Sequence, residues 1–213
     1  DLYKLTMINW EIVQHTYEKL WLELNKNNDL ERKKAFFNKV RAKFNDSHNP
    51  DLFFFIMRTT TNGMPRYNKN GDFNNSFHVT RNGMNPSKTV KILKESSDLL
   101  NLYKVVFISE SFENISTTGR DLIYLDPPYF NTKGMYYGTI NYNILWTYLK
   151  ETKSDWLLSF DGKAGKEDNT VNIPNIYNNH IYINSGNSSF RRVIGKSKST
   201  VVEESLYIRI NKG

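Results

Sequence analysis

The 213-residue chain contains no cysteine, which excludes a disulfide scaffold, a thiolate zinc site and a cysteine nucleophile. It has only four histidines, His15, His48, His78 and His180. They are scattered, none has a partner at helical ligand spacing, and no metal site is expected. Long apolar runs are missing too. The longest, residues 52–57, is far too short to cross a bilayer, and no charged-then-apolar leader precedes it. These absences predict a cytoplasmic protein with no membrane segment and no metal.

What remains is the composition of an ordinary soluble domain, 24% charged and 38% hydrophobic, long enough to bury one sizeable core. Basic residues outnumber acidic ones by 29 to 22, a net charge of +7. An excess of that size suits a polyanionic partner, although it serves equally as a solubilising charge. Asparagine is abundant and implies no chemistry.

Residues 2–44 read as helical. Leu5, Ile8, Ile12 and Val13, then Leu20, Trp21 and Leu24, recur three to four apart before a polar break at 25–29. A second helix follows, with Phe36, Phe37, Val40 and Phe44 on one side, and turn chemistry at 45–50 ends it. Residues 52–58 are apolar enough for a buried helix or strand, and periodicity leaves the choice open. Residues 59–86, with Asn62-Gly63, Asn70-Gly71 and Asn82-Gly83, predict an exposed loop and hairpin. Residues 89–102 predict a short amphipathic helix.

From there the rhythm becomes strand and helix. Strands are predicted at 104–108, 121–125, 156–160 (stopped by Asp161-Gly162), 180–183 and 205–210, with a helix at 142–150. Apolar strands alternating with helices predict a covered, largely parallel α/β sheet, with an antiparallel edge from the last pair.

The sharpest feature is Asp126-Pro127-Pro128-Tyr129 at the carboxyl end of the 121–125 strand, where open α/β sheets bind ligands. Two prolines stiffen the loop and remove two backbone donors, which leaves carbonyls to accept. Asp126 adds a carboxylate and Tyr129 a flat face. Acceptors beside an aromatic platform suit an exocyclic amino group on a planar base. A plain strand-ending turn is the alternative for a lone motif of this kind.

With its context, this motif resembles the Dam-like (D12 class) adenine-N6 DNA methyltransferases. Arg41-Ala42-Lys43-Phe44-Asn45 and the stretch from Asn62-Gly63-Met64-Pro65-Arg66 to Asp72-Phe73-Asn74 look like that family's target-recognition segment. Ser109-Glu110-Ser111-Phe112 resembles its cofactor-adenine contact, and Val202-Glu203-Glu204-Ser205-Leu206-Tyr207 its closing strand. The resemblance implies a Rossmann-like S-adenosylmethionine-dependent methyltransferase sheet with an inserted helical and hairpin recognition region. Residues 1–102 would be the recognition region, carrying a DNA-binding hairpin at about 59–86, and 103–213 the catalytic part. It implies S-adenosyl-L-methionine as cofactor and double-stranded DNA as partner, with the target base flipped out.

In that pattern Asp126 and the Pro127 carbonyl accept the amino hydrogens, Pro128 stiffens the loop and Tyr129 stacks on the base, with Phe130 packing nearby. Ser111, Phe112, Asp126 and Asp1 are candidate cofactor contacts, and Phe112 reads equally as core. Asn62, Met64, Arg66, Asn68, Lys69 and Arg81 are candidate DNA contacts. Met64 reads either as a wedge into the base stack or as packing beneath the loop.

The family's Phe-x-Gly-x-Gly loop occurs nowhere in these residues, and the chain opens on Asp1. Without the strand belonging to that loop, residues 122–125 would present an unpaired apolar edge. The chain is therefore expected to be a fragment of a longer product, or to take that strand from a second chain. Residues 74–78 also lack the Pro and closing Gly of the family's Phe-Asn-x-Pro-Phe-Gly. Three functions stand open: adenine-N6 methylation, DNA binding by a relative unable to hold cofactor, and methylation of another amino group such as cytosine N4 or a glutamine side chain.

Overall fold

The computed structural model describes residues 2–63, 65–128, 140–187 and 201–211, with Asn62 and Asn187 described in their backbone only. The chain divides into two compact units, Asp1–Ser109 and Glu110–Gly213.

The first unit is helical: α1 (Leu2–Leu24), α2 (Leu30–Ser47), α3 (Pro50–Thr59) and α4 (Pro86–Leu102). Each boundary has a local cause. Asn9 leaves helical geometry inside α1, and its side chain accepts the Ile12 amide, so a kink with its own cap divides that helix. Asp29 caps α2 by accepting the Glu31 and Arg32 amides, and Asn85 caps α4 ahead of Pro86. The open choice at 52–58 resolves as helix because Pro50 occupies the first turn of α3, where its missing donor is not needed. The core is aromatic: Tyr17, Phe37, Phe44, Phe54 and Phe55 are buried together, with Tyr17 edge-on to Phe54 at 5.1 Å.

Two further rings of that core, Phe73 and Phe77, come from the loop between α3 and α4. The predicted hairpin is reduced to a 3₁₀ turn at Thr61–Gly63 and two isolated antiparallel bridges, Thr60 with Phe77 and Tyr67 with Phe73. The tip, residues 68–72, closes through the Asn68 amide on the Asp72 carbonyl (2.8 Å), and Gly71 supplies a φ of 85°. Its form is set by side chains plugged into the helices rather than by a β ladder.

The strand expected at 104–108 forms no ladder among the described residues; Val106 and Ile108 are 77% and 60% exposed, and Phe107 stacks on Tyr3 at 5.6 Å. A β-branched run becomes a strand only beside a partner.

The second unit holds β1 (Leu122–Leu125), α5 (Tyr142–Glu151), β2 (Asp155–Ala164), β3 (Glu167–Asp168), β4 (Asn179–Asn187) and β5 (Val201–Arg209) in one mixed sheet of order β1-β2-β5-β4, with β3 beside β2. The expectation of a largely parallel sheet is corrected. Only β1 and β2 are parallel, in register Leu122 with Asp155 to Leu125 with Leu158, and every other described pair is antiparallel. Parallel pairing needs a crossover, and α5 provides it between β1 and β2. Leu145 and Leu149 of α5 join Trp156, Leu158, Phe160 and Tyr207 in a second core. The Trp156 indole N–H and the Arg209 guanidinium both donate to the Leu149 carbonyl at the end of α5.

Asp161-Gly162 does not stop β2 as expected. The strand runs through it with a register irregularity against β5 between Phe160 and Lys163. A Cβ on Gly162 would collide with the Glu203 carbonyl oxygen and lie 2.8 Å from the Ser205 nitrogen. The glycine is there because two backbones meet. At the other side of the sheet, β1 has one hydrogen-bonded neighbour among the described residues, with Leu122 and Tyr124 62% and 61% exposed. No described helix is long and apolar enough to cross a membrane.

Candidate active site and nucleic-acid interface

In the second unit, β1 delivers Asp126-Pro127-Pro128 at its carboxyl end. Successive side chains along a strand alternate between faces. Leu125 turns into the core, while Tyr124 and Asp126 share the opposite face with Ser159 of β2. The buried Ser159 hydroxyl donates to the Asp126 carboxylate at 2.9 Å and accepts from the Tyr124 hydroxyl at 3.2 Å. Asp126 itself is exposed, and the two prolines are half-buried.

A second hydroxyl fixes the loop beyond. Tyr142, at the start of α5, donates to the Pro128 carbonyl at 2.7 Å. Its ring is held by Trp146 (5.9 Å, stacked) and by Phe160 (5.8 Å, edge-on). Burial, and then the Asp161 carboxylate, raise the Tyr142 phenol above its ordinary value. Both ends of the acceptor loop are thus tied by hydroxyls from neighbouring elements. Tyr129 and Phe130 lie outside the described residues, as do Asp1 and Met64.

Of the candidate cofactor contacts, the Ser111 hydroxyl donates to the Glu113 carboxylate (3.3 Å) beside a 3₁₀ turn at Phe112–Asn114. Phe112 is half-buried and edge-on to Tyr148 of α5 at 5.4 Å. Its ring is braced by the core without being enclosed in it. Among the described residues no cluster of three acidic or histidine side chains is arranged to hold a metal ion.

In the first unit the candidate recognition loop is fastened at its middle and at its far end. On α2, Arg41 and Asn45 lie four residues apart on one face. Arg41 donates to the Asn75 carbonyl at 2.7 Å. Asn45 clamps Phe73 twice, accepting its amide at 2.9 Å and donating to its carbonyl at 3.1 Å. At the far end, Asn25 donates to the Asn82 carbonyl, Tyr17 to the Met84 carbonyl (2.6 Å) and Gln14 to the Pro86 carbonyl. The buried Lys33 ammonium donates to the Asn82 side chain at 3.1 Å.

Arg66 and Lys69, ahead of the Phe73 clamp, and Arg81, beside the Asn82 anchor, are exposed cations of this loop. Asn68 has a role within the loop itself. Its side chain accepts the Asn70 and Asp72 amides and donates to the Asp72 carboxylate, so it builds the turn. Asn62 contributes its backbone to the 3₁₀ turn.

Sequence reasoning did not single out Ser159, Tyr124 or Tyr142, nor the anchors Asn25, Lys33, Tyr17 and Gln14. Ser159 carried a signal, being the one hydroxyl within the apolar run Trp156-Leu157-Leu158-Ser159-Phe160. A hydroxyl buried there has to find a partner.

The second unit presents rigid acceptors at a strand end of a mixed α/β sheet, and the first unit carries an anchored loop with exposed cations. Comparison with known proteins makes this specific. The family model of the D12 class N6 adenine-specific DNA methyltransferases matches residues 1–200, and the chain belongs to that family. It is 28% identical over 142 residues to the type II methyltransferase M.MjaIII of Methanocaldococcus jannaschii, covering 61% of this chain and 48% of the relative. It is 29% identical over 114 residues to the retron Ec67 DNA adenine methylase of Escherichia coli, covering 50% and 38%. The type II methyltransferase M.FokI of Planomicrobium okeanokoites is 29% identical over 140 residues, covering 64% and 21%. The chain therefore spans about half or less of the length of these relatives.

Proposed function

We propose that this chain carries the recognition and catalytic parts of a methyltransferase that moves a methyl group from S-adenosyl-L-methionine to the N6 amino group of adenine in double-stranded DNA. The observation that carries this reading is the Asp126-Pro127-Pro128 loop at the end of β1, with its carboxylate held by Ser159 and its second carbonyl by Tyr142, in a chain of the D12 family.

Adenine N6 is a poor nucleophile because its lone pair is delocalised into the ring, and inside a duplex it is out of reach. The base is turned out of the stack, at a cost of a few kcal/mol, and held by stacking and hydrogen bonds. Asp126 accepts one amino hydrogen and the Pro127 carbonyl the other, which draws N6 towards tetrahedral geometry. Tyr142 occupies the carbonyl of Pro128, so the neighbouring one is left for the base. Tyr129 stacks on the adenine. When bound, S-adenosylmethionine supplies a methyl group on a sulfonium sulfur, whose positive charge is lost in the transfer. Positioning and electrostatics then carry the rate. The residues at hand suit that cofactor: Phe112 offers a braced, half-open ring for an adenine, and Ser111 beside it is exposed and polar. Arg66, Lys69 and Arg81 approach the DNA backbone.

The test is transfer of tritiated methyl groups to double-stranded DNA, comparing the parent chain with Asp126→Ala and identifying the methylated base after digestion. The expected result is N6-methyladenine from the parent and loss of transfer in the variant. Equal incorporation by the two would reject the site. Methylated cytosine would reject the adenine assignment, and DNA binding without transfer by the parent would return the non-catalytic alternative.

A further inference from the structure

Ser159 is 4% exposed and lies on β2, which is flanked by β1 and β5. Its neighbours Leu158 and Phe160 are fully buried. A lone hydroxyl in such a strand weakens the core unless both its donor and its acceptor are used. Both are used in one direction: Tyr124 donates to Ser159, and Ser159 donates to Asp126. Because Ser159 accepts from the phenol, its own hydrogen is turned towards the carboxylate. Chains of hydrogen bonds of this kind polarise and strengthen one another.

Asp126 lies just past the last residue of β1 and is exposed, so nothing in the strand ladder itself fixes its χ1. The bond from Ser159 does so from an element that cannot move independently, since β2 pairs on both sides. It also occupies Oδ1 and leaves Oδ2 as the oxygen that meets a ligand.

We propose that Ser159, backed by Tyr124, is a positioning residue that locks the Asp126 carboxylate in the rotamer that receives the amino hydrogen of the target base. This rests on the reading of Asp126 given above. The Ser159 hydroxyl touches neither the base nor the cofactor, and acts only through Asp126.

The primary measurement needs no catalysis: the three-bond couplings of the Asp126 carboxyl carbon to its own backbone nitrogen and carbonyl carbon, which report χ1, in the isotopically labelled full chain. The parent is expected to show a single rotamer and Ser159→Ala an averaged one. Ser159→Thr, which keeps the hydroxyl, should restore the single rotamer, and Tyr124→Phe should loosen it in part. Should the alanine variant fail to fold, Ser159→Cys, with similar volume and a weak donor, serves in its place and is expected to average. In methyl-transfer assays Ser159→Ala should lower kcat about tenfold with KM for DNA nearly unchanged, the pattern of an interaction realised in the transition state. A single Asp126 rotamer in Ser159→Ala or Ser159→Cys overturns the proposal, as does failure of Ser159→Thr to restore it. The two readings separate cleanly. Averaged couplings in a chain whose parent transfers no methyl group would keep the positioning and sink the catalysis. Unchanged couplings beside Asp126-dependent transfer would do the reverse.

Discussion

Replacing Asn45 by alanine should open the recognition loop while leaving the helices around it folded. Asn45 stands in for a missing β partner: it accepts the Phe73 amide at 2.9 Å and donates to the Phe73 carbonyl at 3.1 Å, and Phe73 is only 1% exposed. Alanine removes both bonds together and leaves two buried backbone groups unmet. Each such group costs about 1–3 kcal/mol, so together they weaken the closed loop by about 2–6 kcal/mol. Local opening is what amide hydrogen exchange reads. The Phe73 amide should lose protection by about thirtyfold or more, since about 1.4 kcal/mol corresponds to each factor of ten. The Asn68 and Asn74 amides, bonded within the same loop to Asp72 and Arg66, should follow it. Amides of the second unit should not change. Lys43→Ala, an exposed change two residues away on α2, provides the control. Phe73 protection within threefold of the parent in Asn45→Ala would refute the reasoning, because the ring would then hold the loop without the amide clamp.

Three further outcomes are expected. If the anchored loop faces DNA, log affinity should fall linearly with log salt, and each of Arg66→Gln, Lys69→Gln and Arg81→Gln should reduce the slope by about 0.9; slopes equal to the parent's would remove the loop from the interface. Burial pushes the Tyr17 phenol up to about 12, so its neutral form is favoured in the fold. The stability this confers is complete below the unfolded tyrosine value of about 10 and is lost as pH rises through about 12. Melting of the first unit should therefore show an alkaline decline that Tyr17→Phe flattens, and identical alkaline profiles would contradict the assignment. Finally, Gly162→Ala forces a methyl group into the Glu203 carbonyl and should destabilise the second unit by about 3 kcal/mol or more in denaturant titration, the upper range for overpacking. A loss below about 1 kcal/mol would mean that the strands separate there at little cost.

Much of this architecture was legible in local pattern. The helical periodicity of residues 2–44 and the acceptor motif after an apolar strand could each be read without tertiary information. What escaped depended on partners distant in sequence. Residues 104–108 have the composition of a strand but lack a described neighbour to complete it. Asp161-Gly162 has the composition of a stop, yet its glycine answers to the β5 backbone some forty residues later. In the same way Arg41 and Asn45 could be associated with recognition, while their work as clamps became visible only with Phe73 and Asn75 beside them. Ser159 is the intermediate case: its burial could be inferred from the run around it, but the identity of its partners could not.

The anchors of the recognition loop have one more consequence. Arg41, Asn45, Asn25, Tyr17 and Gln14 all grip main-chain atoms of the loop, and the main chain is the same whatever side chains it bears. Their hold is therefore blind to the identity of most residues between them, so long as Phe73 and Phe77 remain as plugs. Evolution can exchange the exposed letters of this segment, Arg66, Lys69 and Arg81 among them, without renegotiating the fold that displays them. If the loop faces DNA, a socket of this kind would let the residues that meet the duplex change while the scaffold stays still.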